Sequence, residues 1–483
     1  MDVTYYKPYI DPDFEVLIER IHPPRVCVDN ETYPDCTLVK VDSANKHGML
    51  LEMVQVLTDL DLVISKSYIS SDGGWLMDVF HVTDQLGHKL TDTSLIDYVQ
   101  EGICASRQAW KDAHKLAMGR ETRPRHVLTE HMALEMTGVD RPGLMSEITA
   151  VLAELACHVT AAVAWTHNGR VACIIYLEDG SLDPCRVAQV QAQVENVVEA
   201  HHHGNEQRSV RLAAPAPGRT HTERRLHQLL AADADYEACC SCCGGNSEGD
   251  DFYVYGGCHK GQKKGCDGTH VRIENCKAMG YSIINIRSRD RTKLLFDTLC
   301  VLTDLQYVVY HAAISSHGST AFQEYYVKHK DGHVLISECE KHMVTKCLIA
   351  ATERRASHGL RVDVCTKNRT GLLSDVTRVF RENGLSIKRA EIGVRGDEAV
   401  GTFYMTGENV NIETIEAMRQ EIGGDVMFEN KSGGTTPEVS PTRTSTNSSI
   451  SSNGMEERPR FSLGNLLWSQ LERLSSNFRP IKS

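Results

Sequence analysis

The sequence predicts an α+β fold that consists of four tandem ferredoxin-like modules, each with the order β-α-β-β-α-β. Two observations support this prediction. A six-residue motif occurs four times in the 483 residues, and the same pattern of strands and helices surrounds every copy. A tight-turn signal then follows each motif at a nearly constant distance. Four copies of one pattern predict four copies of one supersecondary unit.

The motif marks the point where a strand ends and a helix begins. Its pattern is Asp or Asn, a basic residue, any residue, Gly, and two apolar residues, at positions 45–50, 140–145, 290–295 and 368–373. A short apolar stretch precedes each copy and reads as a strand that is buried on at least one face. Apolar residues in steps of three and four follow it, which predicts a helix with one buried stripe.

The tight-turn signals predict the hairpin of each module. They lie at Gly73, Gly169, Gly318 and Gly396, which are 25, 26, 25 and 25 residues beyond the fourth motif position. Asn-Gly and Asp-Gly favour tight hairpins because positive φ is cheap there. A second strand and a second helix follow each turn. A closing strand is visible after the second and fourth copies, at 209–212 and 425–428, but not after the first and third.

The four copies fall into two kinds. Copies one and three share Val-Leu-Thr-Asp-Leu, at 56–60 and 301–305. Copies two and four share Gly-Leu-x-Ser, an acidic residue, a β-branched residue and Thr, at 143–149 and 371–377. This alternation indicates a two-repeat unit that was duplicated once.

The predicted organisation follows from these repeats. We expect a lead-in at 1–36, modules at 37–120, 126–212, 281–356 and 359–430, a linker at 213–275, a disordered linker at 431–460 and an amphipathic C-terminal helix at 461–483. The linker contains the cysteine cluster 239–243. Zinc is conceivable there, but the spacing matches no structural zinc site and the Gly, Ser and Asp content favours a disordered insert. We therefore expect neither a metal nor a cofactor.

Composition and charge narrow the classes of function. The chain has 52 Lys and Arg residues against 64 Asp and Glu residues, a net charge of −12. An acidic chain repels phosphate backbones, so we expect no nucleic-acid partner. No apolar run approaches the roughly 20 residues that span a bilayer, so we expect no stable membrane insertion. The first residues resemble neither a signal nor a transit peptide, which predicts a cytoplasmic or nuclear protein.

The motif could bind a small zwitterion. The start of a helix exposes backbone N–H groups and carries partial positive charge, which suits a carboxylate. Glycine at the fourth position lets a ligand approach the main chain. The first-position side chain could accept from an ammonium group: Asp140 and Asp290 suit only that role, whereas Asn45 and Asn368 suit either end of the ligand. Such a site fits a free α-amino acid.

A purely structural explanation of the motif stays open. Glycine often only permits a tight turn, and Asp or Asn often caps a helix. The third copy has Lys293 in place of glycine, so it is the copy most readily left without a ligand.

With these motifs, hairpins and paired halves, the chain resembles the plant ACT domain repeat (ACR) proteins, which are chains of four ACT domains. The resemblance covers about residues 15–430 and includes the stretches 21–26 and 221–228. It implies domains that pair side by side into extended antiparallel sheets with helices on one face. It also implies effector binding at domain interfaces near the strand-to-helix loop and a role in amino-acid sensing.

Carried over position by position, the resemblance places seven residues at candidate ligand sites. They are Asn45, Gly48, Asp140, Gly143, Asp290, Asn368 and Gly371. Lys293 departs from the family pattern and puts the third site in doubt.

Catalysis is not expected, because the repeats use nearly the whole chain. The chain contains no His-Asp dipeptide, no phosphate-binding Gly-x-x-x-x-Gly-Lys-Ser/Thr loop and no nucleophile with an evident base. The first hypothesis is therefore an amino-acid-binding regulatory sensor. A second is a scaffold whose sheet edges pair with another copy or a protein partner. A third, a metal- or redox-responsive protein, depends on the cysteine cluster alone.

Overall fold

The computed structural model describes residues 25–45, 47–72, 75–104, 131–178, 183–200, 208–216, 219–237, 253–254, 268–276, 279–355, 359–407 and 412–431. The first 24 residues of the lead-in, the cysteine cluster 239–243, the turn glycine Gly73, the linker beyond residue 431 and the expected C-terminal helix lie outside the described residues. Within those residues, no helix is both long and apolar enough to cross a membrane.

The first half of the chain contains two repeats and a connecting helix. Repeat one consists of β1 (Arg25–Asp29), β2 (Thr37–Ala44), α1 (Met49–Asp59), β3 (Val63–Asp72), β4 (Trp75–Thr83) and α2 (Thr93–Cys104). Repeat two consists of β5 (Met132–Val139), α3 (Leu144–Glu154), β6 (Val159–His167), β7 (Arg170–Leu177), α4 (Pro184–Glu199) and β8 (Ser209–Ala213). Helix α5 (Thr222–Ala232) and the two-residue strand β9 (Tyr253–Val254) follow.

The second half repeats this order. Repeat three consists of β10 (His270–Cys276), β11 (Tyr281–Arg289), α6 (Leu294–Asp304), β12 (Tyr307–His317), β13 (Thr320–His329) and α7 (Glu338–Glu353). Repeat four consists of β14 (Gly359–Lys367), α8 (Leu372–Glu382), β15 (Ser386–Arg395), β16 (Glu398–Thr406), α9 (Ile412–Ile422) and β17 (Asp425–Lys431). The predicted α+β class with ferredoxin-like modules is confirmed.

The fourth strand of repeats one and three comes from ahead of the motif. Strand β1 pairs antiparallel with β2, and β10 pairs antiparallel with β11. In repeats two and four the equivalent position is taken by β8 and β17, which follow the second helix. The edge of the motif strand accepts an antiparallel neighbour from either direction along the chain. In repeats one and three the position beside the motif strand is therefore filled by β1 and β10, so no closing strand is needed after the second helix.

Repeats of the same kind pair with each other. A nine-stranded sheet joins repeats one and three through β3 and β12, and an eight-stranded sheet joins repeats two and four through β6 and β15. Equivalent strands pair antiparallel about their centres, with Tyr68 opposite Ala313 and Val163 opposite Glu391. Such an arrangement has a local two-fold symmetry, so each type of contact between two paired repeats occurs twice.

Helix α5 covers the second face of the eight-stranded sheet. Its buried residues Leu226, Leu229 and Leu230 pack against Trp165 and its neighbours on β7 and β5. The main core lies on the opposite face, under α3, α4, α8 and α9. The helices of the repeats themselves lie on one face of this sheet, as expected, and the linker helix α5 covers the other face at repeat two. Both faces of β6 and β7 carry apolar side chains, as expected for strands that are buried on both sides.

Candidate ligand sites at the strand-to-helix turns

All four turns have the same backbone conformation. The fourth motif residue is left-handed in every repeat, with φ of 89° at Gly48, 83° at Gly143, 61° at Lys293 and 80° at Gly371. Its carbonyl accepts the N–H of the residue four positions later, at 3.0 Å in each case. Glycine adopts this conformation without strain, whereas Lys293 is strained. The glycine preference therefore has a structural cause that does not depend on a ligand.

A hydrogen bond links the motif to the hairpin. The N–H of Asp140 donates to the carbonyl of Gly169, that of Asp290 to Ser319, and that of Asn368 to Asp397, each at 2.8 Å. These bonds explain the nearly constant distance between motif and tight turn. These bonds involve only the backbone of the first motif residue, so its side chain can make different contacts in different repeats.

The basic residue of the motif has an internal partner. Arg141 pairs with Glu147, Arg291 with Asp297, and Arg369 with Asp375, at N–O distances of 2.5 to 2.7 Å. The acidic residue is six positions further in each repeat and lies in the first helical turn. This side chain therefore holds the turn against its helix.

The three turns that carry glycine face the end of the helix in their paired repeat. A Cβ placed on Gly48 would lie 3.9 Å from Thr303 Cγ2, and one on Gly371 would lie 3.8 Å from Ala153 Cβ. One on Gly143 would lie 2.9 Å from Arg381 Cδ. Thr303, Ala153 and Arg381 are all the tenth residue of their helices. One helix position therefore controls the space in front of the turn.

The turn of repeat four opens into the larger of two clefts at the interface of repeats two and four. This cleft holds about 650 Å³ of space, including its open mouth, and Asn368 and Gly371 lie in its wall. Its apolar walls come from both repeats and include Leu152, Ala153, Val364, Val376, Ile392 and Phe403. Asn368 Nδ2 lies 3.4 Å from His158 Nε2 of repeat two. A first helical turn, an amide side chain and apolar walls thus meet in one place.

The turn of repeat two lies in a smaller cleft of about 430 Å³, lined by Asp140 and Gly143. Arg381 of repeat four lies against Gly143. The Asp140 carboxylate already has an ammonium partner, because Lys388 Nζ donates to Asp140 Oδ2 at 2.9 Å. The protein's own side chains thus take the places in which a ligand would bind.

The turn of repeat one is closed by its own third motif residue. The His47 ring donates to the backbone carbonyl of Thr303, and burial lowers the pKa of His47 despite this bond. Asn45 Nδ2 donates to Ser71 Oγ at 2.8 Å within the same repeat. Both side chains therefore serve contacts inside the paired repeats.

The turn of repeat three is engaged by helix α5. Lys293 Nζ contacts both carboxylate oxygens of Glu223, at 3.0 and 3.2 Å. Asp290, the residue after β11, donates its backbone N–H to the carbonyl of Ser319 in the hairpin. Burial alone would raise the pKa of Glu223, but Arg355 and Lys293 lower it well below its ordinary value. A protein carboxylate thus accompanies the one lysine at the fourth motif position.

The first turn of α5 also reaches repeat one. His221 Nε2 lies 3.0 Å from Asp59 Oδ1 at the end of α1, and both side chains are about 5% exposed. Burial alone would lower the pKa of His221, but the Asp59 carboxylate outweighs burial and the pKa is raised. Helix α5 therefore contacts the turn of repeat three and the helix end of repeat one together.

We expect His221→Gln to destabilise the protein by about 1.5–3 kcal/mol near pH 5.5 and by less near pH 8.5. A raised pKa in the folded state means that the ion pair stabilises fully below the ordinary histidine pKa of about 6.5. The stabilisation is then lost as the pH rises through the raised value. Urea unfolding of both proteins at the two pH values measures this, and an equal deficit at both would contradict it.

The residues that decide which turn is open are not evident from the motif. Ala153, Arg381 and Thr303 share one helix position, which an alignment of the four helices could have identified. Their proximity to a turn depends on which repeats pair, and that information is not local. The role of Glu223 depends on where α5 packs.

Comparisons with known proteins agree with this architecture. A family model described as "ACR family N-terminal ACT domain" matches residues 32–110, and one described as "ACT domain" matches residues 360–424. The Arabidopsis thaliana protein "ACT domain-containing protein ACR1" is 50% identical over 99% of this chain and 99% of its own length. Two others from that organism are ACR3, 47% identical over 88% of this chain and 92% of its own, and ACR2, 43% identical over 98% and 99%.

Proposed function

This chain belongs to the ACR family of ACT domain-containing proteins, and from that premise we propose that it binds a free amino acid and acts as a regulatory sensor without catalysis. The observation that carries the proposal is the open cleft at Gly371. The other three turns are contacted by Arg381, His47 or Glu223 of the protein itself. Among the described residues, a Cβ placed on Gly371 would meet only the small side chain of Ala153 within 4 Å.

The electrostatics of this cleft suit a zwitterion. The first turn of α8 offers backbone N–H groups and the positive end of the helix dipole to a carboxylate. The last turn of α3 faces it from repeat two and carries the negative end of its own dipole, which favours an ammonium group. Asn368 can accept from that ammonium through its side-chain oxygen. The ligand would therefore contact both repeats.

The walls of the cleft favour an apolar amino-acid side chain. Val364, Ile392 and Phe403 of repeat four lie opposite Leu152 of repeat two. Burying one aliphatic side chain here contributes about 1.5–3 kcal/mol. The described side chains that line the cleft include no carboxylate, and the imidazole of His158 lies behind the cleft wall against Asn368.

A regulatory role follows if the ligand distinguishes two arrangements of the paired repeats. A ligand that contacts α3 and α8 together stabilises the arrangement in which these helices keep their present separation. Equal affinity for both arrangements would shift nothing. Thr149 and Thr377, which hydrogen bond to each other at 2.9 Å across the same interface, lie at the centre of this contact.

Calorimetric titration of the full chain with each of the twenty amino acids tests the proposal. We expect one binding event per chain, for an apolar amino acid, with a Kd between about 10 µM and 1 mM, which corresponds to roughly −7 to −4 kcal/mol. At ten times the Kd, the bound ligand stabilises the folded chain by about 1.4 kcal/mol, which a melting curve detects. If no amino acid binds at 10 mM, the proposal is wrong.

A further inference from the structure

A second group of potential ligand atoms lies in repeat three at the end of β13 that is opposite the hairpin turn, apart from the interface clefts. His329, Asp331 and His333 each offer one ligand atom, and these atoms all lie within 4.8 Å of one another. Glu340, in the first turn of α7, brings Oε1 to 3.6 Å from His333 Nε2. Two imidazoles and two carboxylates thus meet between β13 and α7.

The backbone holds these side chains together. The N–H of His329 donates to the carbonyl of His333 at 2.9 Å, and the N–H of Gly332 donates to the carbonyl of His329 at 2.7 Å. The two imidazole rings stack with centroids 4.3 Å apart and an angle of 26° between their planes. Little side-chain entropy is left to lose when both rings bind one ion.

The spacing and chemistry fit a divalent cation of the zinc class, and we propose that His329, Asp331, His333 and Glu340 bind one. Tetrahedral ligands about 2.0–2.2 Å from zinc lie roughly 3.4 Å from each other. The His329–Asp331 and His333–Glu340 contacts, at 3.3 and 3.6 Å, are close to that value. Imidazole ligands select transition metals and zinc over magnesium and calcium.

Neighbouring groups contact two of these ligands. The N–H of Asp331 donates to His329 Nδ1 at 3.3 Å, and a metal bound at that nitrogen takes over the lone pair that accepts this long hydrogen bond. The Tyr307 hydroxyl donates to Glu340 Oε1 at 2.5 Å. Such outer contacts fix ligand orientation in metal sites.

Repeat one contains the same turn without this set of ligands. The N–H of Asp84 donates to the carbonyl of His88 at 2.9 Å, and the N–H of Gly87 donates to Asp84 at 3.2 Å, as in repeat three. Leu86 takes the place of Asp331, and Leu95 takes that of Glu340. The turn therefore folds without a cluster of metal ligands, so its backbone conformation does not require the side chains that repeat three carries.

Titration of the reduced full chain with Co²⁺, followed by Zn²⁺ competition, tests this proposal. The 17 cysteines require a probe that distinguishes ligands, and Co²⁺ bound to thiolate gives intense near-ultraviolet absorption that an imidazole and carboxylate site lacks. We expect one equivalent of Co²⁺ to bind with the spectrum of an imidazole and carboxylate site, without thiolate absorption. His329→Gln/His333→Gln should remove it, and Glu340→Gln should weaken it at least about tenfold.

His88→Gln, in the matching turn of repeat one, is the control and should leave the titration unchanged. Melting curves of all variants without metal verify that they fold. If the double histidine variant binds as many equivalents with the same spectrum, or if the natural chain shows no imidazole-type site, the proposal is overturned.

Discussion

Replacing Arg355 with methionine is expected to lower the free energy of unfolding by about 3–5 kcal/mol. The Arg355 side chain is 3% exposed and forms two bonds to Asp297, at 2.7 and 2.9 Å, and two to Glu223, at 2.9 and 3.2 Å. Its guanidinium also lies 4.8 Å from the ring centre of Trp165 in β6. One side chain therefore joins α5, α6 and the eight-stranded sheet.

The expected loss is large because the partners stay buried. Asp297 is fully buried and would keep only Arg291 and His227, at 2.7 and 2.9 Å. Burial alone would raise the pKa of Asp297, but Arg355 and Arg291 lower it well below its ordinary value. A carboxylate with a lowered pKa stabilises the protein above about pH 4 and loses that contribution as the pH falls. The difference between Arg355→Met and the natural protein should therefore shrink on acidification.

Urea unfolding at pH 7 and pH 3 measures this prediction. The matched control is Arg378→Met, since Arg378 is 42% exposed and its contacts to Glu382 and Glu421 are 3.3 and 3.4 Å long. Exposed pairs contribute about 0–1 kcal/mol, so the control should change little. A loss below 1 kcal/mol for Arg355→Met would show that the two sheets are held together in another way.

The order of elements within each repeat could be predicted because its signals are local. Hydrophobic periodicity locates the strands and helices, and the tight-turn glycines locate the hairpins. The likeness of repeats one and three indicates a duplication, but it does not predict that they share a sheet. Strands β1 and β10 were missed because they precede the motif, and β10 follows a cysteine-rich stretch with no comparable pattern. The second covered face of the eight-stranded sheet was missed because α5 is distant from β6 and β7 in sequence.

The candidate site could be predicted only in part. The motif correctly identifies four equivalent turns, each with a left-handed fourth residue. It cannot say which turn is accessible, because that depends on a residue contributed by the paired repeat. Three helices carry different residues at this position, namely Ala153, Thr303 and Arg381. These differences affect access to a turn only because the repeats pair. Local sequence patterns thus predict the structure of each module, whereas the shape of a cleft between two modules depends on how the modules pack.

We expect an exchange of the residues at positions 153 and 381 to move the amino-acid site from the turn of repeat four to the turn of repeat two. Ala153→Arg introduces into the cleft at Gly371 the side chain that already fills the cleft at Gly143, so we expect amino-acid binding to fall below detection at 10 mM. Arg381→Ala removes that side chain, and we expect a second equivalent to bind per chain. Both positions lie near the ends of helices, where Arg and Ala are good helix formers, so stability should change by less than about 1 kcal/mol.

The combined variant Ala153→Arg/Arg381→Ala separates loss of a site from loss of structure. If the helix position controls access, this variant binds one equivalent at the turn of repeat two, where Asp140 replaces Asn368 as the partner of the ammonium group. Lys388 competes for Asp140, so we expect weaker binding there than at Gly371 in the natural chain. Ala188→Arg, on the exposed surface of α4, is the control and should bind like the natural chain. Calorimetry that finds unchanged binding in Ala153→Arg would place the ligand elsewhere in the molecule.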